Sequence, residues 1–113
     1  MGLRGEAKLL RIFVGESDRY KGRPLFEVIV ERARARGLAG ATVFRGVMGY
    51  GGHSRIHTAR VLRLSEDLPV MIEIVDKEEK IEAFLPELDE LIQEGLVTLE
   101  RVEVVWYRRG EKA

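Results

Sequence analysis

The chain has 113 residues, 45% of them apolar and 34% charged, the size and composition of one folded domain spanning residues 1–113. It has no cysteine, which excludes disulfides, thiolate metal sites and thiol nucleophiles, and its 19 basic and 19 acidic residues cancel, leaving no net charge to attract a nucleic acid. No stretch reaches the roughly 18 apolar residues of a membrane span and the N-terminus lacks an apolar signal core, so a cytoplasmic location without membrane insertion is expected.

The first element runs from Ala7 to Val14. Leu10, Ile12 and Val14 alternate with Leu9, Arg11 and Phe13, the period of a strand with one wholly apolar face and one mixed face. A polar, turn-rich stretch over 15–22 follows, and Pro24 suits the first turn of a helix, where its missing N–H costs nothing. Leu25, Val28, Ile29, Arg32, Ala33 and Arg36 keep helical spacing, and Gly37 suits the left-handed residue that stops it. A second strand is expected over 41–48, with Val43 and Val47 on one face and Thr42, Phe44 and Met48 on the other. From Gly49 to Thr58 the pattern fits neither helix nor strand, and its glycines predict a loop. Pairing is expected to resume within 59–64 and to be complete by Pro69 to Val75, an apolar run typical of a central strand.

Asp76-Lys77-Glu78-Glu79 has the spacing of a capping box, with Asp76 accepting from the Glu79 amide. The helix it opens presents Ile81, Phe84, Leu85, Leu88, Leu91 and Ile92 on one side, with Pro86 inside it and Gly95 expected to close it. A last strand is expected over 97–107, before a basic tail that starts at Arg108 and Arg109. Strand, helix, strand, strand, helix, strand is the βαββαβ order of a ferredoxin-like α+β sandwich: a four-stranded antiparallel sheet with two helices on one face. The other face then needs cover. Val43, Val47, Val105 and Tyr107 are expected there, and an oligomer packing sheet to sheet would supply the cover.

Charge is unevenly spread. Between Arg32 and Ser65 there are seven arginines and no acid, whereas Glu66 to Glu94 holds eleven acids and only Lys77 and Lys80. Arg32, Arg34 and Arg36 are accounted for by the end of the first helix, where positive charge complements the dipole. Gly46, Gly49, Gly51 and Gly52 with Arg55, His57, Arg60 and Arg63 make a glycine- and base-rich segment suited to an anion, although the spacing matches neither the dinucleotide fingerprint nor the P-loop. His53 and His57 have no third ligand nearby, so a metal site is not expected. Ser54, Ser65, His57 and Asp67 supply the residue types of a catalytic triad without the strand–turn–helix elbow that would aim them, and enzymatic activity is not expected. The positions at which RNA-recognition sheets carry stacking aromatics are Ile12, Phe13, Ile72 and Ile74, a poor match. The lack of asparagine, the single Gln93 and the abundance of Arg and Glu lean towards a heat-adapted source.

Arg45-Gly46-Val47-Met48-Gly49-Tyr50-Gly51, Ile56-His57-Thr58-Ala59, Leu64-Ser65-Glu66-Asp67-Leu68-Pro69-Val70 and Ile72-Glu73-Ile74-Val75-Asp76 resemble the family known as domain of unknown function 190, as does the opening strand Leu10-Arg11-Ile12-Phe13-Val14-Gly15-Glu16. That family is similar in fold to the PII signalling proteins. The resemblance implies a regulatory homotrimer without a resident cofactor. An adenine nucleotide or other small anionic effector would sit in clefts between subunits, and an unidentified target protein would be engaged through the loop over 49–58. Together with the glycine- and base-rich segment read above, this makes Gly46, Met48, Gly49, Tyr50, Gly51, His53, Arg55, His57 and Arg60 the candidate ligand-binding residues, and the resemblance adds Arg108 or Arg109 reaching a neighbour's ligand. The glycine-rich loop with a lysine that precedes the last PII strand is here Gln93-Glu94-Gly95-Leu96-Val97, with no basic residue, so ATP binding of the usual PII kind is not implied. The alternatives are an interaction module without ligand, held by faces of opposite charge, and an enzyme using His53 or His57.

Overall fold

The computed structural model of the protein describes residues 3–51, 57–58 and 67–110. The described elements are β1 (Gly5–Gly15), β2 (Arg19–Tyr20), β3 (Arg23–Pro24), α1 (Leu25–Ala35), β4 (Thr42–Arg45), β5 (Met48–Gly49), β6 (His57–Thr58), β7 (Pro69–Asp76), α2 (Glu78–Leu91) and β8 (Leu96–Val104). Four of them form the sheet β4-β7-β1-β8, antiparallel throughout, which is the ferredoxin-like order. The expected fold class is the observed one. Two small ribbons, β2–β3 and β5–β6, are additions.

Alternation decides the core. Leu10, Ile12 and Val14 of β1 and Val70, Ile72 and Ile74 of β7 are buried against Leu25, Val28, Ile29 and Ala33 of α1 and Ile81, Phe84, Leu88 and Leu91 of α2. α1 ends as expected at Gly37, whose φ of 77° suits a residue without Cβ. There Leu38 N–H donates to Ala33 O and Gly37 N–H to Arg34 O, the paired bonds of a Schellman stop, and Leu38 is tucked into the core.

Five expectations need correction. Pro24 precedes α1 instead of lying in its first turn: its extended ψ of 127° keeps it in the β2–β3 ribbon, which the positive φ values of Lys21 and Gly22 close. The second strand stops at Arg45, not 48. The last ladder pair is Arg45 with Val70, and Pro69 beyond it has no N–H to continue. The capping box does not form. Lys77 holds the cap position of α2 without a side-chain bond, because Asp76 points inward with Val70, Ile72 and Ile74 and accepts from the amides of Lys77 (2.7 Å) and Ala39 (2.8 Å). α2 ends at Leu91 with Ile92 as its cap, before Gly95, and Gly95 serves the turn into β8, where a Cβ would lie 2.7 Å from Phe13 O. β8 ends at Val104, short of the expected 107.

The open face also differs from expectation. Val43 pairs with buried Ile72 and so lies on the helix side of the sheet. The register instead puts Leu9 and Val75, then Phe13, Met71, Leu96 and Phe44, on the face away from the helices. Between those layers Arg11 bridges Glu73 (2.9 Å) and Glu100 (3.0 Å), and the Glu73 bond is the main reason that its pKa is raised.

The two helices are clamped by one carboxylate. Glu87 of α2, with only 16% of its side chain exposed, accepts from Arg36 and from Arg32 (3.1 Å). Burial pushes this carboxyl up, but the two guanidinium hydrogen bonds together outweigh it and hold the pKa below the ordinary carboxylate value. A depressed folded-state pKa means that the contribution is complete above the unfolded pKa of about 4.3 and lost as pH falls through the folded value. Glu87→Gln is therefore expected to cost about 1 kcal/mol at pH 7, with the gap to wild type closing below about pH 4 in urea titrations.

Candidate functional site

The base of the expected ligand loop is built from the ends of β1, β4 and β7. Gly46 N–H donates to Pro69 O (2.7 Å), and a Cβ on Gly46 or Gly49 would lie 2.7 or 3.0 Å from Pro69 Cγ. Both glycines thus let the backbone close against the proline ring, and the Gly46 amide is already engaged. Beyond this contact Met48 pairs with Thr58 and Gly49 with His57, so the arms of the loop leave the sheet as a short ribbon. Met48 and Tyr50 are largely exposed there, and Gly51 is exposed beside them.

Carboxylates gather at the same end of the sheet. Asp18 accepts from Gly15 N–H (3.0 Å), Asp67 accepts from Ser17 N–H (2.7 Å), Glu16 N–H donates to Leu68 O (2.8 Å), and the Glu16 carboxylate pairs with Arg45. The segment without acids in the sequence therefore meets acids in space. The sequence alone did not place Glu16, Asp18, Asp67 or Pro69 at this base. Antiparallel pairing of β1 with β7 was the available signal, because it puts Gly15 opposite Pro69.

Of the expected site residues, Gly46 and Gly49 pack on Pro69 at this base, and Met48, Tyr50 and Gly51 lie on the ribbon or just beyond it. Only the backbone of His57 is described, and His53, Arg55 and Arg60 lie outside the described residues, as do Arg63, Ser54, Ser65 and the strand onset expected within 59–64. Arg108 and Arg109 do not join the base within one chain. β8 finishes with Val104 opposite Gly5, at the far end of β1 from Gly15. Arg108 there stacks over the Trp106 ring at 4.3 Å, and Arg109 lines a cavity of its own with Tyr107. Among the described residues no cluster of His, Asp and Glu has the makings of a metal site.

A family model described as DUF190, Uncharacterized ACR, COG1993, matches residues 7–104. A UPF0166 protein of Aquifex aeolicus is 48% identical over 99 residues, 88% of this chain and 93% of its own. UPF0166 protein MJ1524 of Methanocaldococcus jannaschii is 39% identical over 95 residues, 83% and 87% of the two chains. Among solved structures, a PII-like signaling protein of Thermus thermophilus superposes with a TM-score of 0.65 at 21% identity, over 89% of this chain and 91% of that one. CPII of Thiomonas intermedia K12, a nitrogen regulatory PII-like protein bound to ADP, AMP and bicarbonate, gives 0.60 at 22% identity over 88% of each. At such identities the structural likeness is one of fold.

Proposed function

The chain belongs to the DUF190 family and has the PII-like fold, and from that premise we propose that it is a signalling protein that binds a nucleotide or other small anion and acts on a protein target through the loop over 49–58. The observation that carries the reading is the loop base itself: two glycines packed on Pro69 and a ribbon that carries the chain on to Tyr50 and Gly51, both exposed. The proposed switch is a population shift of that loop on ligand binding, with Gly46 and Gly49 on Pro69 as its footing. The CPII ligands ADP, AMP and bicarbonate set the class of effector to try first.

The proposed assembly is a homotrimer with ligand clefts between subunits. What supports an assembly is the open sheet face, where Phe44 and Leu96 are 46% and 57% exposed beside Phe13 and Met71. A cleft between subunits would also give Arg108 a route to a neighbour's ligand that it lacks within its own chain. The proposed chemistry is binding, not turnover, and the proposed location is the cytoplasm. Among the described residues no helix is long and apolar enough to cross a membrane.

Calorimetric titration of the full chain with ADP, AMP, ATP, bicarbonate and phosphate tests the ligand, and light scattering on the same samples tests the assembly. The expected result is saturable binding of at least one nucleotide to a trimer, weakened about tenfold or more by Arg55→Ala with Arg60→Ala, since each would remove a charge-assisted hydrogen bond. No heat from any compound would remove the ligand, and a monomer at all concentrations would remove the cleft.

A further inference from the structure

We propose that the cavity between the α1–β4 turn, the start of α2 and the C-terminal tail is a separate anion site, suited to a small molecule that carries a phosphate on an apolar or planar body. The cavity measures about 740 Å³, and Leu38, Asp76, Lys77, Lys80, Tyr107 and Arg109 are among the residues that line it. Such a volume lies within the roughly 300–1,000 Å³ of small-molecule sites and exceeds what a bare phosphate fills.

The charges carry the argument. Arg11, Arg23, Arg32, Arg36 and Arg45 pair with carboxylates, whereas Lys77, Lys80 and Arg109 are among the described cations that form no ion pair, and these three meet in one cavity. The one carboxylate among the described lining residues, Asp76, has each oxygen bonded to a backbone N–H, from Lys77 and from Ala39. Among the described residues, three cations thus line one recess with no competing free acid. The ammonium of Lys80 is steadied by Gly37 O at 2.9 Å and keeps two donors, and the Tyr107 hydroxyl donates to Ala39 O at 3.1 Å, fixing the tail that carries Arg109. Donors held in place by their own second contacts favour a fixed anion over a solvated counterion. Leu38 and the Tyr107 ring supply surface for the rest of the ligand.

Within one chain this site is remote from the loop base. Asp76 pairs with Lys8 and Pro69 with Gly15, so seven residues of strand, about 23 Å at ~3.3 Å per residue, separate the two. Amide NMR titration of the full chain with inorganic phosphate and then phenyl phosphate tests the proposal. Saturable shifts are expected at Ala39, Lys80 and Tyr107, with phenyl phosphate binding more tightly than phosphate. Lys80→Met and Arg109→Gln are each expected to weaken binding about tenfold, and Arg55→Ala with Arg60→Ala to leave it unchanged. Arg109 lies in the exposed tail, so its variant keeps the fold if loss of the Gly37 contact disturbs the Lys80 one. Shifts that fail to saturate, that spread over the basic surface generally, or that vanish in the Arg55, Arg60 variant while surviving Lys80→Met and Arg109→Gln would overturn it. The last outcome would leave the loop-base reading intact.

Discussion

Phe84→Ala is expected to lower the unfolding free energy by about 3–5 kcal/mol, the largest effect of any single side chain in the core. Phe84 has no exposed surface and lies on the inner side of α2, against the layer that Leu10, Ile12, Ile72 and Ile74 present from the two central strands. Its removal costs the transfer energy of the ring and leaves a cavity that two helices and a sheet, already tied by Glu87 and its two arginines, close only in part. Out of a total of about 5–15 kcal/mol for a domain, that is a fall in Tm of about 10–20 °C. Phe84→Leu retains most of the volume and is expected to cost under about 1.5 kcal/mol. Thermal and urea unfolding of the three proteins checks both values. Equal losses for Ala and Leu would mean that the ring's shape, not its volume, is what the core requires.

Asp76→Ala is the second large effect, about 2–4 kcal/mol, and its cause is different. Asp76 is 4% exposed and accepts from two backbone amides, Ala39 and Lys77, which its removal leaves without partners inside the protein. Asp76→Asn keeps one acceptor oxygen and offers a donor where an acceptor is needed, so it is expected to recover about half of the loss. Hydrogen exchange gives the sharper reading: the amides of Ala39 and Lys77 lose protection in Asp76→Ala, and those of β1 and β7 keep their order relative to each other. A variant within about 0.5 kcal/mol of wild type would show that water replaces the carboxylate at both amides.

The same residue links the fold to the cavity beside it. Asp76 joins the turn after α1 to the start of α2, and Lys77, Lys80 and Tyr107 stand around that junction. A side chain that reads locally as a helix cap is, in three dimensions, a cross-link between two segments 37 residues apart. Loss of the cross-link would loosen the recess as well as the fold. Asp76→Ala is for that reason a stability probe, and Arg109→Gln is the probe of the site.

Element order, helix faces and sheet core were legible along the chain because each depends on neighbours a few residues away. Leu10, Ile12 and Val14 alternate, Ile81, Phe84, Leu88 and Leu91 recur at helical spacing, and Gly37 takes up the left-handed turn that its missing Cβ permits. Gly46, Met48, Gly49, Tyr50 and Gly51 stay near one another for the same local reason, since they lie within six residues of chain. Tertiary structure alone decided the rest. That Pro69 ends the second strand, that Glu16 meets Arg45, that Asp76 turns inward to Ala39, and that Lys77, Lys80 and Arg109 share a cavity all depend on segments distant in sequence. Periodicity carries no information about which distant polar group will face another. Strand register and the path of the tail supply it, and both are settled only when the sheet and its helices pack together.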